Sequence, residues 1–255
     1  MPMLEVTELG ISFGGLRAVD SLTMKIEKGG LVGLIGPNGA GKTTLFNIIT
    51  GVYAPTAGKV VFQGHEIQGK RPHTVNQLGI ARTYQNINLF QKMTVLENVL
   101  VGTHSRTKAG LVDAVFNTKS KRAEEEAAAA SCMELLDFMG LREKADLRAG
   151  SLPYGEQRRL EIARAMASRP AFLLLDEPAA GMNLTEKEEL ARMIQRIRDR
   201  GITIFLVEHN MRLVMNVCDE ICVLNYGKKL AQGTPAQIQN DPLVISAYLG
   251  GVTDG

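Results

Sequence analysis

The chain has 255 residues, with 29 Lys and Arg against 27 Asp and Glu. A formal net charge of +2 leaves no broad cationic face for nucleic acid as a main partner. Its apolar content of 45% fills the core of one large or two small domains. No run approaches the roughly 18 apolar residues that a spanning helix needs, so none is expected to cross a bilayer. The start, Met1 to Glu5, lacks the basic and apolar regions of a secretory signal. Cys132, Cys218 and Cys222 are spaced neither as a disulfide framework nor with the His or Cys pair of a metal site, and read as buried thiols in a reducing compartment.

Apolar positions partly alternate from Leu4 to Phe13, which predicts a strand turned by Gly14-Gly15. Ala18 to Ile26 predicts a second, ended by Lys28-Gly29-Gly30. Leu31-Val32-Gly33-Leu34-Ile35 is a short, wholly apolar run, the pattern of a buried parallel strand. It leads into Gly36-Pro37-Asn38-Gly39-Ala40-Gly41-Lys42-Thr43-Thr44, which fits G-x-x-x-x-G-K-[ST]. Glycines allow a tight turn whose N–H groups converge on phosphate oxygens. Lys42 supplies a point charge for the terminal phosphates, and the Thr43 hydroxyl is of the type that ligates Mg²⁺. A helix predicted from Thr43 to Thr50 aims its positive end at the same anion, and Gly51 stops it. Strand before and helix after make this a nucleotide site. Phe13, just upstream, is either an aromatic that stacks on adenine or a core residue beside Leu9 and Ile11; periodicity alone does not choose.

Pro55 to Gly58 reads as a turn, Lys59 to Phe62 as a strand, and a polar loop follows. Ile80 to Gln85 then places Gln85 where a strand runs out into a loop, a usual position for ligand contacts. Thr94-Val95-Leu96-Glu97 is a capping box that opens a helix to about Val101. Residues 104 to 122 look irregular and mildly basic, an insertion. A helix is predicted from about Arg122 to Met139, stopped by Gly140. Ser151-Leu152-Pro153-Tyr154-Gly155-Glu156-Gln157 precedes a helix with Leu160, Ala163 and Ala167 on one face. Gly155 at a helix start lets an anion approach the backbone, a second anion site.

Phe172-Leu173-Leu174-Leu175-Asp176-Glu177 reads as a central strand that delivers two carboxylates at its end. Adjacent buried acids need a positive partner. Mg²⁺ at the phosphate loop is the natural one, held by Asp176 through water, which leaves Glu177 to polarise an attacking water. Thr185 to Glu188 reads as a further capping box, whose helix buries Leu190, Met193, Ile194 and Ile197 and ends at Gly201. Ile202 to Val207 is an apolar strand that ends at Glu208-His209. There His209 lies at the same sheet edge as Lys42 and Asp176, where it can sense a γ-phosphate. Strands at Ile221–Leu224 and Lys229–Ala231 flank Asn225-Tyr226-Gly227, and Thr234-Pro235 and Asp241-Pro242 open two short helices.

Over essentially its whole length the chain resembles the ATP-binding subunit of ABC transporters. Gly36 to Thr44 is similar to that family's Walker A, Gln85 to its Q-loop, Leu152 to Gln157 to its signature, Leu173 to Glu177 to its Walker B and His209 to its switch histidine. Phe13 falls at the position of the family's adenine-stacking aromatic. The resemblance implies an α/β fold: a P-loop NTPase core with a mixed, largely parallel sheet, an N-terminal antiparallel β part and an inserted α-helical subdomain. It implies one domain over residues 1–255, the subdomain at about 92–168 and a helical tail at 234–255. Glu177, His209, Gln85 and Lys42 are the implied catalytic set, and Thr43, Gln85 and Asp176 the implied Mg²⁺ set. Gly36, Pro37, Asn38, Gly39, Ala40, Gly41, Lys42, Thr43, Thr44, Phe13 and Asp176 would bind MgATP. Leu152, Pro153, Tyr154, Gly155, Glu156 and Gln157 would close over ATP held by a second ATPase subunit. Pro153 and Tyr154 stand where the family has Ser and Gly, and Asn183 stands where it has Asp.

Leu152-Pro153-Tyr154-Gly155, Asp176-Glu177-Pro178-Ala179-Ala180-Gly181, the long segment from Gly102 to Gly140 and the ending Ala247-Tyr248-Leu249-Gly250 resemble one branch, the ATPases of branched-chain amino acid importers. That branch implies a peripheral protein at the cytoplasmic face of the inner membrane. Its partners would be a second ATPase in a hetero- or homodimer, two transmembrane permease subunits and, indirectly, a periplasmic or extracellular substrate-binding protein; nucleic acid is not expected. Competing readings are a cargo such as urea, an amide or an exported lipid-like molecule, an ABC ATPase acting on DNA or ribosomes, and a small-molecule kinase. The last two leave features unexplained: no tandem cassette or long coiled coil is visible, and a kinase has no use for the signature or His209.

Overall fold

A computed structural model describes residues 2–103 and 119–249, in two compact units. One comprises Met1–Arg82 with Ala171–Gly255, and the other Thr83–Pro170. The predicted irregular segment at 104–122 lies almost wholly outside the described residues.

The first unit carries two sheets. Strands β1 (Leu4–Phe13), β2 (Leu16–Ile26), β4 (Ala57–Phe62) and β5 (His65–Glu66) form an antiparallel sheet in the order β2-β1-β4-β5. The second sheet joins β3 (Leu31–Ile35), β6 (Ile80–Arg82), β7 (Phe172–Asp176), β8 (Thr203–Val207), β9 (Glu220–Asn225) and β10 (Lys228–Gly233). Its order is β10-β9-β3-β8-β7-β6, and every pairing is parallel except β9 with β10. β3, β7 and β8 are buried at every residue. That is why they read as unbroken apolar runs: parallel strands covered on both faces have no solvent side to encode.

Helix α1 (Lys42–Ile49) sets Leu45, Phe46, Ile48 and Ile49 into the core that both sheets share. Four aromatic rings run through that core. Phe62 meets Phe172 at 6.0 Å, Phe172 meets Phe205 at 6.3 Å, and Phe205 meets Phe46 at 5.1 Å between centroids. Cys218 and Cys222 are buried free thiols, each pushed up to about 12 by burial.

Several local expectations are corrected. The polar stretch before β6 contains α2 (Pro72–Gln77), which buries only Val75 and so leaves no apolar period to read. Helix α7 (Met211–Val217), capped by the Asn210 side chain, was not anticipated after His209. The turn expected at 55–58 gives way to β4 at Ala57. Helix α6 (Leu184–Asp199) starts earlier than the Thr185 box. Its N-cap is Asn183, whose side chain accepts the Glu186 N–H at 3.0 Å while the Glu186 carboxylate takes the Asn183 N–H at 2.8 Å. An extended Asn is a better cap than a Thr already inside the helix. The four predicted apolar residues of α6 are its buried stripe.

The second unit is built on α3 (Val95–Val101), α4 (Lys119–Phe138) and α5 (Tyr154–Ala167). Thr94 and Glu97 close the capping box of α3. Buried Asn98 bonds both the N–H and C=O of Phe90, which folds the preceding loop onto the helix. Pro153 is the N-cap of α5. The buried face of α5 runs through Leu160, Ile162, Ala163 and Met166, with Ala167 only partly covered. Among the described residues, no helix is long and apolar enough to cross a membrane.

Candidate nucleotide site

Sheet order decides where the chemistry collects. β3 lies between β9 and β8, and β7 lies next to β8, so the loops after β3, β7 and β8 leave the same edge of one parallel sheet. Ligands in open α/β sheets bind beyond the carboxyl ends of such strands.

The loop after β3 is Gly36 to Gly41. Gly36 has φ 152°, and a Cβ there would come within 2.1 Å of the Leu224 carbonyl oxygen. Gly41 has φ 100°, and its Cβ would meet the Ala18 carbonyl oxygen at 2.4 Å. Both positions are closed to any side chain, so the loop can hug β9 and β2. As N-cap of α1, Gly41 brings no side chain to the first-turn amides, which stay directed at an incoming anion. Lys42 lies along the loop, donating to Gly36 O at 2.7 Å and Pro37 O at 2.9 Å. Burial pulls its ammonium below the usual lysine range, against the pull of the Glu177 and Asp176 carboxylates.

Asp176 ends β7 and is buried, and its Oδ2 accepts Arg82 Nη2 at 2.7 Å. Arg82 also donates to Asn47 Oδ1 at 2.6 Å and lies 5.5 Å from the centre of the Phe46 ring. An arginine on a short apolar strand thus holds the strand-end carboxylate and α1 together. The next residue, Glu177, has φ 46°, a left-handed conformation unusual for a side chain of this size. Its N–H donates to Val207 O at 2.9 Å, and its carboxylate meets His209 Nε2 at 2.8 Å.

Glu208, the residue before His209, is buried. It accepts N–H groups of Ala179 at 2.7 Å, His209 at 3.1 Å and Asn210 at 3.2 Å. Burial lifts its carboxyl above the ordinary glutamate value, although the three N–H groups and the neighbouring charge pull in both directions. Glu208 therefore ties the turn after Glu177 to the backbone that carries His209.

One cavity, of about 440 Å³, is lined by Phe13, Asn38 to Thr44, Glu177, His209, Arg17 and Tyr226, among others. That volume suits a small-molecule ligand. Phe13 is 45% exposed and meets Tyr53 edge-on at 5.2 Å, whereas Leu9 and Ile11 are buried. Thr43 and Asp176 offer oxygen donors only, the chemistry that Mg²⁺ accepts.

The remaining nominated residues belong to the second unit. The Gln85 carbonyl accepts Arg158 Nη2 at 2.7 Å, and the Tyr84 carbonyl accepts Arg158 Nη1 at 2.7 Å. Arg158 pairs with Glu161 at 2.7 Å, both fully buried. Glu161 in turn accepts the Tyr84 N–H at 3.3 Å. The Gln85 segment is therefore clamped by α5, the helix that Pro153 caps. Gln157 donates to the Leu152 carbonyl at 2.8 Å, Lys144 pairs with Glu156 at 2.6 Å, and Tyr154 is exposed. Sequence reasoning missed Arg82, Arg158, Glu161 and Glu208. Arg82 and Glu208 are hinted at only as charges that follow apolar residues, and Arg158 and Glu161, in a helix rich in charged residues, carry no local signal.

A glycine loop that opens a helix beyond a parallel strand, beside strand-end carboxylates and a histidine, defines a P-loop nucleotide hydrolase. Family models agree: one described as ABC transporter matches residues 19–180, and one described as branched-chain amino acid ATP-binding cassette transporter matches residues 228–254. The chain is 47% identical to the high-affinity branched-chain amino acid transport ATP-binding protein BraF of Pseudomonas aeruginosa, over 98% of both chains. It is 46% identical to its counterpart LivG of Escherichia coli, again over 98% of both. A crystal structure of an ATP-binding cassette of an ABC transporter in its ADP conformation superposes with a TM-score of 0.86 at 31% identity, covering 98% of this chain and 99% of that one. The chain belongs to the ABC transporter ATP-binding family, in its branched-chain amino acid branch, and is an ATPase of that type.

Proposed function

We propose that this ATPase drives uptake of branched-chain amino acids through a membrane importer. The carrying observation is the full-length match to BraF and LivG together with the branch-specific match at 228–254. The chain would sit on the cytoplasmic face of the membrane, paired with a second ATPase beneath two permease subunits that a substrate-binding protein supplies.

Within the chain, the amides from Asn38 to Thr44 cradle the phosphates, and Lys42 exchanges its two loop carbonyls for phosphate oxygens. Phe13 stacks on the base. Thr43, and Asp176 through water, would hold Mg²⁺, which neutralises charge on the phosphates. Glu177 orients and deprotonates the attacking water, and His209 holds the Glu177 carboxylate in place. Leu152 to Gln157 present the start of α5 to the nucleotide of the partner ATPase. Closing the pair over ATP and reopening it after hydrolysis requires ATP to bind the closed state more tightly than the open one.

The test is purification of the tagged chain from detergent-solubilised native membranes, combined with radiolabelled leucine uptake in cells that lack it. The expected result is co-purification of two polytopic subunits and a second ATPase, with uptake lost and restored by the wild-type chain. Unchanged leucine uptake, with ribosomal or DNA-repair proteins recovered instead, would refute the proposal.

A further inference from the structure

The hairpin between β9 and β10 has a two-residue loop, Tyr226-Gly227, closed by the pairing of Asn225 with Lys228. Both loop residues have positive φ, 47° and 77°, the conformation of a type I′ turn. Asn, Asp or Gly suits the first of these positions, and a bulky aromatic does not. Yet Tyr226 stands there at 86% exposure, the most exposed of the large hydrophobic side chains among the described residues. Its ring fits neither the turn nor a core, and it lines the same cavity as Phe13 and the phosphate loop.

The turn is fixed to that loop. Gly227 N–H donates to Ala40 O at 3.0 Å, and Gly227 O accepts the Asp20 N–H at 2.9 Å. A Cβ on Gly41 would lie 3.5 Å from Gly227 Cα, so the two backbones run in close contact. Tyr226 therefore hangs from a base that is rigid with respect to Ala40 and Gly41. Among the described residues, two of the six positive-φ residues other than glycine, Glu177 and Tyr226, line this one cavity. Such conformations persist where the surrounding structure enforces them, and they gather at ligand sites.

We propose that Tyr226 is a nucleotide-contacting residue that packs against the nucleoside half of the bound nucleotide. Its ring covers apolar surface of the base or ribose, and its hydroxyl is available to a ribose or base polar group. This assignment rests on the nucleotide reading of the cavity.

The test measures binding of MgATP, MgADP and inorganic tripolyphosphate to the purified chain by calorimetry, in wild type, Tyr226→Asn, Tyr226→Ala and Lys42→Ala. Thermal midpoints of the ligand-free proteins are recorded alongside. Tyr226→Asn places a favoured residue in the turn, so its midpoint equals or exceeds that of wild type. Its affinity for MgATP and MgADP nevertheless falls roughly three- to tenfold, while tripolyphosphate binds unchanged. Tyr226→Ala loses nucleotide affinity to the same extent. Wild-type nucleotide affinity in both Tyr226 variants, with binding lost in Lys42→Ala, would overturn this assignment alone. An equal loss of tripolyphosphate affinity would also overturn it, by moving the contact to the phosphates. Full nucleotide affinity in Lys42→Ala would instead overturn the nucleotide reading of the cavity.

Discussion

Replacing Arg82 with Met tests how the strand-end carboxylate is held. The Arg82 and Asp176 side chains are only 6% and 4% exposed, so the pair is out of water. Methionine keeps much of the volume beside Phe46 but leaves Asp176 buried without this guanidinium. Breaking a buried pair by removing one partner costs about 3–5 kcal/mol, mostly because the remaining charge is uncompensated. Loss of the Asn47 bond adds about 1 kcal/mol. At about 2–4 °C per kcal/mol for chains near this size, a loss of about 4–6 kcal/mol lowers the thermal midpoint by about 8–24 °C. Urea denaturation gives the free energies directly, and the cycle is completed with Asp176→Asn and the double variant. The double variant is less destabilised than the sum of the singles by more than about 1 kcal/mol. An Arg82→Met protein within about 1 kcal/mol of wild type, or strict additivity, would refute the pairing as the hold on Asp176.

His209→Ala removes the contact to Glu177 at 2.8 Å and touches no loop amide. Hydrolysis should fall roughly 10- to 100-fold, the worth of a hydrogen bond to a charged group, with nucleotide affinity kept within about threefold. Steady-state phosphate release and equilibrium binding separate the two, and equal loss in both would contradict the assignment. Glu208 gives a pH signature. Its folded carboxyl titrates above its unfolded value of 4.5, so the folded state holds the proton more tightly. Its contribution to stability is complete below that value and is lost as pH rises through the folded one. Glu208→Gln cannot titrate, so the stability of the variant relative to wild type climbs with pH above about 4.5. A relative stability that falls over that range, in urea melts at successive pH values, would contradict the sign.

How much of this was legible in the sequence follows from how local each signal is. The phosphate loop, β3 and α1 are adjacent, and glycine spacing carries their geometry. The buried stripe of α6 is periodic and was read residue by residue. By contrast, the carboxylate that Arg82 meets lies 94 residues away, and the Ala179 N–H that Glu208 accepts lies 29 residues away. Only the parallel register of the sheet brings those pairs together, and no local pattern encodes it. Helix α2 escaped because a short, mostly exposed polar helix has almost no apolar face. Phe13 was undecided by period, and its exposure on the cavity places it away from the core. The sequence places Tyr226 only in the stretch between two strands; its strain appears only as a backbone angle.

Glu177→Gln is the most direct single measurement of whether this cavity hydrolyses ATP as described. The variant keeps the carbonyl oxygen that faces His209 but loses the basic carboxylate, so MgATP affinity stays within about threefold of wild type. Phosphate release should fall by about 10²- to 10⁴-fold, the usual worth of a positioned general base. Retained binding with turnover lost is the predicted pair of results. Turnover near wild type in Glu177→Gln would remove Glu177 from the chemistry and contradict the mechanism.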